Sequence, residues 1–178
     1  MNEHRILEEL DAAVWKALGS GALDHAIRRV TSALARDPHL RIAWEPLPLD
    51  AYPPMPDAIA SSWVFVLRGG TTTGAERHPN SIQRVMSYRG RGDLQTWGAA
   101  GWERHVLAND GNGGLADRWL SIPTNVWHRP VIPTGPDWLV ISFHTAAADV
   151  LVEERAADDQ QPDGSERVQE PYAGRMAR

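Results

Sequence analysis

Glu76 and His78 stand two residues apart in a stretch without helical periodicity, and His128 follows about fifty residues later behind Pro123-Thr124-Asn125. On an extended chain a two-residue interval returns to the same face, so the carboxylate and the imidazole project together. Gln83 opens an apolar run just after the turn-forming Pro79-Asn80-Ser81. Two imidazoles, one carboxylate and an amide oxygen are donors that suit a divalent ion with coordination positions left open for other molecules. On spacing alone, a Glu-x-His pair is more often a surface accident than a ligand pair. The chain contains no cysteine. Disulfides, zinc-thiolate sites, iron–sulfur clusters and cysteine nucleophiles are therefore excluded, and any metal must rest on nitrogen and oxygen.

The elements that must position these residues are short strands. Ser62 to Arg68 is dense in β-formers and ends at Gly69-Gly70; Gln83 to Arg89, Asp93 to Trp97, Trp102 to Leu107, Trp119 to Ile122, Trp127 to Ile132 and Trp138 to Thr145 follow. Glycine, proline or Asn/Asp clusters such as Gly90-Arg91-Gly92 and Pro133-Thr134-Gly135-Pro136-Asp137 separate them. That pattern predicts an all-β sandwich or barrel. In front of it, Ile6, Leu10, Ala13, Val14, Ala17 and Leu18 share one face of a helix from Glu3 to Leu18, and Leu23, Ile27, Val30 and Leu34 share one stripe of a second that Asp37-Pro38 stops. Two such helices cannot bury their own faces, so they must pack on the barrel or on another subunit. The expected organisation is a helical extension over 1–38, a barrel domain over 39–152, and a polar tail over 153–178 that is disordered or loosely draped and carries no chemistry.

The 178 residues suffice for one domain with a real core, and 42% apolar with 23% charged residues is ordinary for a globular protein. A net charge of −5 gives no support to nucleic-acid binding, which calls for a basic face. The N-terminus leads into an amphipathic pattern rather than an apolar signal core, and no run reaches the roughly 18 apolar residues of a spanning helix, so a soluble cytoplasmic protein without a membrane role is expected. Eight tryptophans are many for this length; most are expected in the core and at most two on pocket walls.

The wider pattern resembles the two motifs of the cupin superfamily. The first runs glycine, five residues, His-x-His, three or four residues, glutamate, six residues, glycine; here Gly70, Glu76-Arg77-His78, Gln83 and Gly90 meet every interval. The second runs glycine, five residues, Pro-x-Gly, two residues, histidine, three residues, asparagine. Pro123 to His128 fits it, with Asp117 where the leading glycine would stand and Ile132 where the asparagine would stand. The resemblance covers Gly70 to Val131. It implies a double-stranded β-helix, or jelly-roll barrel, which the two short N-terminal helices read from apolar spacing precede. It also implies a metal on Glu76, His78, Gln83 and His128, with Glu76 replacing the family's first histidine and Gln83 its glutamate. Two imidazoles and one carboxylate survive these exchanges, a set suited to Fe(II), with Mn, Ni or Zn as alternatives.

What this implies for function is a metal-dependent enzyme acting on a small molecule, first of all a non-haem Fe(II) dioxygenase-like cupin. A metal-dependent isomerase or lyase is the alternative. A non-enzymatic small-molecule-binding cupin is a third reading, which the neutral Gln83 favours. The candidate catalytic residues beside the ion are His144, Arg89 and Tyr88. His144 shares a strand face with Trp138, Val140 and Ser142, and is either a satisfied core histidine or an acid–base group. Arg89 would share the inward face of Gln83, Val85 and Ser87 and meet an anionic substrate, while Tyr88 points away unless a bulge exchanges the two sets. Ser142 and His144 also resemble the closing strand of thiol dioxygenases, though their tyrosine position falls on Ala146. Arg77 and Arg129 should point away from the ion, and His105 should lie at the surface or rim. Exposed barrel edges and the leading helices are compatible with a homodimer.

Overall fold

The computed structural model describes residues 2–19, 21–111 and 113–162, and the backbone of 167–171. Helix α1 (Glu3–Ala17) begins at Asn2, whose side chain accepts the His4 N–H at 3.2 Å, and buries the predicted face of Ile6, Leu10, Ala13, Val14 and Ala17. Helix α2 (Ala22–Arg36) buries Leu23, Ala26, Ile27, Val30 and Leu34. Its last carbonyls are met by Arg68, which donates to the oxygens of Leu34, Asp37 and Leu40 at 2.6, 2.9 and 2.7 Å.

Strands β1 (Ile42–Pro46), β2 (Ser61–Leu67), β3 (Glu76–Arg77), β4 (Gln83–Gly98), β5 (Gly101–Glu103) and β6 (Val106–Asn109) follow; then come the single turn α3 (Leu115–Arg118), β7 (Trp119–Ile122), β8 (His128–Val131) and β9 (Trp138–His144). After these come β10 (Val152–Ala156) and β11 (Arg167–Pro171). One sheet runs β1-β2-β9-β4-β7. The other joins the far half of β4 to β5, β6 and β8, then continues β8-β3-β10-β11. All pairings are antiparallel. This is the double-stranded β-helix of the cupin fold, as the resemblance implied, preceded by the two helices that the apolar spacing predicted.

Strand β4 passes through both sheets, where two strands separated by Gly90-Arg91-Gly92 were expected. Gly90 takes φ of 87°, and the pairing with β9 slips between Ser87 and Arg89. The strand therefore bends from one sheet into the other without ending. Strand β1 was not among the expected strands. The polar segment after Val152, expected to carry no order, forms β10 on the edge of β3. Residues 163–166 and 172–178 of that expected tail lie outside the described residues.

Two apolar clusters result. Val64, Val66, Met86, Leu139, Ile141 and Phe143 face α1 and α2, while Trp63, Phe65, Leu67, Val85, Trp138 and Val140 face the barrel interior. β2 and β9 are buried on both faces, which is why they read as unbroken apolar runs rather than alternating ones. Buried Arg84, on β4, anchors α1 by donating to both carboxylate oxygens of Glu3 at 2.7 and 2.9 Å. Arg118 and the Trp119 indole converge on Asp11 in the same way. Among the described residues no helix is long and apolar enough to cross a membrane.

Candidate metal centre

Glu76 on β3 is the direct cross-strand partner of His128 at the start of β8, and His78 lies just past the end of β3. Asn125, where the family motif has glycine, takes φ of 68°. Asparagine is among the few residues that tolerate this left-handed conformation, so the turn before His128 forms without the glycine. The Asn125 N–H donates to the His78 carbonyl at 3.0 Å, which ties the two histidine-bearing segments together.

One donor atom each from Glu76, His78 and His128 lies within 4.8 Å of the others, so the three form a group able to hold a divalent ion. Both imidazoles are turned by the backbone: His78 Nδ1 is 3.0 Å from the Val152 carbonyl, and His128 Nδ1 is 3.1 Å from the Val126 carbonyl. A carbonyl only accepts, so each Nδ1 carries the proton and each Nε2 keeps its lone pair. His128 Nε2 stands 3.6 Å from Glu76 Oε1. Burial, reinforced by His128 and opposed by Glu76, pushes the His78 pKa down to about 4, which keeps its ring in the neutral, ligating form at neutral pH. Burial works to raise the Glu76 pKa, but His128, His78 and Arg155 outweigh it and hold the carboxyl below its ordinary value.

Gln83, the first residue of β4, is buried and lines the same cavity as Glu76 and His128. Gln83 Oε1 and His128 Nε2 are both buried without a protein hydrogen-bond partner. Buried acceptors are rarely left so, and a cation in the cavity that both line is the kind of partner they lack. The donor set thus fits a divalent metal.

His144 has no exposed surface and packs edge-on against His78, with ring centroids 4.9 Å apart. Ser81 Oγ lies 3.4 Å from its Nδ1, and Ser142 Oγ lies 3.5 Å from its Nε2. Burial, then the cost of adding a second positive charge beside His78 and His128, hold its pKa well below the ordinary value. This is the setting of a packed neutral histidine behind His78. Arg89 and Tyr88 are not brought to the centre. The extra residue in the β4 bulge is Tyr88, which puts Arg89 opposite Leu139, on the helix-facing side. Arg89 is exposed there, and the Tyr88 ring stacks on Trp15 of α1 with centroids 6.0 Å apart. Arg77 and Arg129 do point away: Arg77 pairs with Glu154 at 2.6 Å and lies over Trp127, and Arg129 lies over Trp102. His105 is half-buried, with its Nε2 2.8 Å from Thr96 Oγ1.

The centre opens into a cavity of about 150 Å³. Its walls include Trp44, Phe65, Leu67, Leu94, Trp138 and Val140, and its polar lining adds Ser142, Glu153 and Arg155 to Glu76, Gln83 and His128. Glu153 and Arg155 sit on β10 and were missed, because a short polar run gives no apolar alternation to read. Glu153 is 4% exposed, and burial together with the Glu76 charge pushes its carboxyl up to about 7. Arg155 Nε donates to it at 2.6 Å.

No protein-family profile matches the chain, and no curated protein does. Among solved structures it is similar to an oxalate oxidase in complex with the substrate analogue glycolate, at 14% identity and a TM-score of 0.46 over 60% of this chain and 51% of that one. The chain thus spans about half the length of that oxidase. It is also similar to the capsular polysaccharide assembling protein CapF from Staphylococcus aureus (14% identity, TM-score 0.49, 72% of this chain and 29% of that one). A third similar structure is KdgF from Halomonas sp. (14% identity, TM-score 0.45, 65% of this chain and 90% of that one).

Proposed function

We propose that this cupin-fold chain is a metal-dependent enzyme acting on a small organic molecule, with the ion on Glu76, His78 and His128 and the substrate in the adjoining cavity. The observation that carries the reading is the convergence of three donors within 4.8 Å, both imidazoles held by backbone carbonyls. Fe(II) is the ion we favour, because two imidazoles and one carboxylate suit non-haem iron oxygenases; Mn, Ni or Zn suit the same donors. When bound, such an ion supplies a Lewis acid beside the substrate and, as iron, a route to dioxygen chemistry.

The chain's own residues do the positioning. Val126 and Val152 lock the two rings in one tautomer, and Glu76 contributes the negative charge that offsets the ion. Gln83 presents a neutral oxygen that orients a water or a substrate hydroxyl. Trp44, Phe65 and Trp138 keep water from the reacting end, which strengthens every electrostatic contact made there.

A second reading, a metal-dependent isomerase or lyase, draws support from Glu153, a buried carboxyl on the same cavity that can carry a proton. The two readings part on oxygen. Protein reconstituted anaerobically with Fe(II) should consume oxygen only when a substrate from a small-acid panel is added. Full turnover with zinc and without oxygen would sink the oxygenase reading in favour of the second.

A further inference from the structure

We propose that the substrate carries a single carboxylate and that Arg155 recognises it; this rests on the cavity being the substrate site. β10 sets Arg155 opposite Glu76 in register, and both residues line the cavity. Alternation along β10 turns Glu153 and Arg155 to the cavity and Glu154 away to Arg77. The Arg155 side chain is 48% exposed yet lines the cavity, so it stands where the cavity meets solvent. Among the described lining residues it is the one permanent cation.

The composition of the cavity narrows the ligand. Its volume of about 150 Å³, walled mostly by apolar side chains, matches a body the size of a six-membered ring. A neutral ligand would leave the guanidinium on Glu153, and every negative charge beyond the one that Arg155 offsets would add repulsion from Glu76 and Glu153. A monoanionic carboxylate satisfies the fork of Arg155 at the solvent end, in the planar geometry guanidinium favours, while the apolar body enters the cavity.

Calorimetric titration of the full-length protein with phenylacetate and with its neutral isostere phenylacetamide tests this, with metal content measured on the same samples. Wild type should prefer the acid. Arg155→Met should weaken the acid by about 10- to 100-fold, the loss expected for a charge-assisted contact, and leave the amide unchanged. Arg155→Lys, which keeps the charge without the fork, should hold an intermediate preference, and metal content should be the same in all three. An acid preference that survives intact in Arg155→Met overturns the inference, as does its absence from wild type, and neither result touches the metal reading. Failure of wild type to retain metal after reconstitution overturns the metal reading instead, and the acid-to-amide ratio still decides the role of Arg155.

Discussion

Gln83→Glu changes one atom type at the residue on which the character of the site turns. Gln83 is 6% exposed, its Oε1 has no hydrogen-bond partner, and it shares a cavity with the carboxyls of Glu76 and Glu153. Glu153 shows what that environment does to a carboxyl: burial, then the Glu76 charge, raise it from 4.5 to about 7. At about 1.4 kcal/mol per pKa unit, a shift of that size at position 83 costs the metal-free protein about 3 kcal/mol near pH 8. Because folding raises this acid's pKa, the cost is full above the raised value. It falls to about 1 kcal/mol near pH 5 and vanishes once both folded and unfolded states hold the proton. For a chain of this length the metal-free melting temperature should drop by about 6–12 °C at pH 8. A bound divalent ion reverses the sign, since a carboxylate facing the ion replaces a neutral amide; a tenfold gain in affinity adds about 1.4 kcal/mol of stabilisation at fixed excess metal. Scanning calorimetry of chelated and zinc-loaded samples at the two pH values measures both effects. If the chelated variant melts with wild type at pH 8, or zinc raises both proteins equally, Gln83 does not face the ion and the argument fails.

His78→Ala and His128→Ala should each abolish the zinc-dependent rise in melting temperature, which in wild type corresponds to about 2.7 kcal/mol at a hundredfold excess over Kd; unchanged metal content in both variants would remove the site. Glu3→Gln strips the carboxylate from Arg84, which is 2% exposed, and should cost about 2–3 kcal/mol in urea unfolding, less than a fully buried pair because the Glu3 side chain is 44% exposed. The Arg84 contacts hold the Glu3 pKa below its ordinary value, so this contribution is present above the ordinary carboxyl range and lost as pH falls through the lowered value. The variant should lack that part of the acid limb, and a superimposable limb would refute the assignment. At Gly92 an added Cβ would fall 2.1 Å from the Trp138 ring, so Gly92→Ala should destabilise by about 1–3 kcal/mol and shift the tryptophan emission; wild-type stability would disprove the close contact.

The sequence by itself determined the local facts. The helical faces of α1 and α2 follow from apolar spacing, and the strands β2 and β9 from their unbroken apolar runs. Glu76 and His78 share a side because a strand repeats every two residues. The resemblance of the intervals from Gly70 to Gly90 and from Pro123 to His128 to the cupin motifs pointed to His128 as the third ligand, and the structure brings Glu76, His78 and His128 together. Tertiary structure decided what depends on pairing. Whether Gly90 ended a strand or bent one was settled only by β9, whose slipped register at Tyr88 sends Arg89 out of the barrel. Whether the polar run after Val152 was ordered was settled by β3, which offers that segment backbone partners that its own side chains do not announce. Glu153 and Arg155 became part of the site by that route. Side-chain periodicity records which face a residue takes once its strand exists, whereas the partner and the register come from backbone hydrogen bonds to distant segments, which leave no local pattern to read.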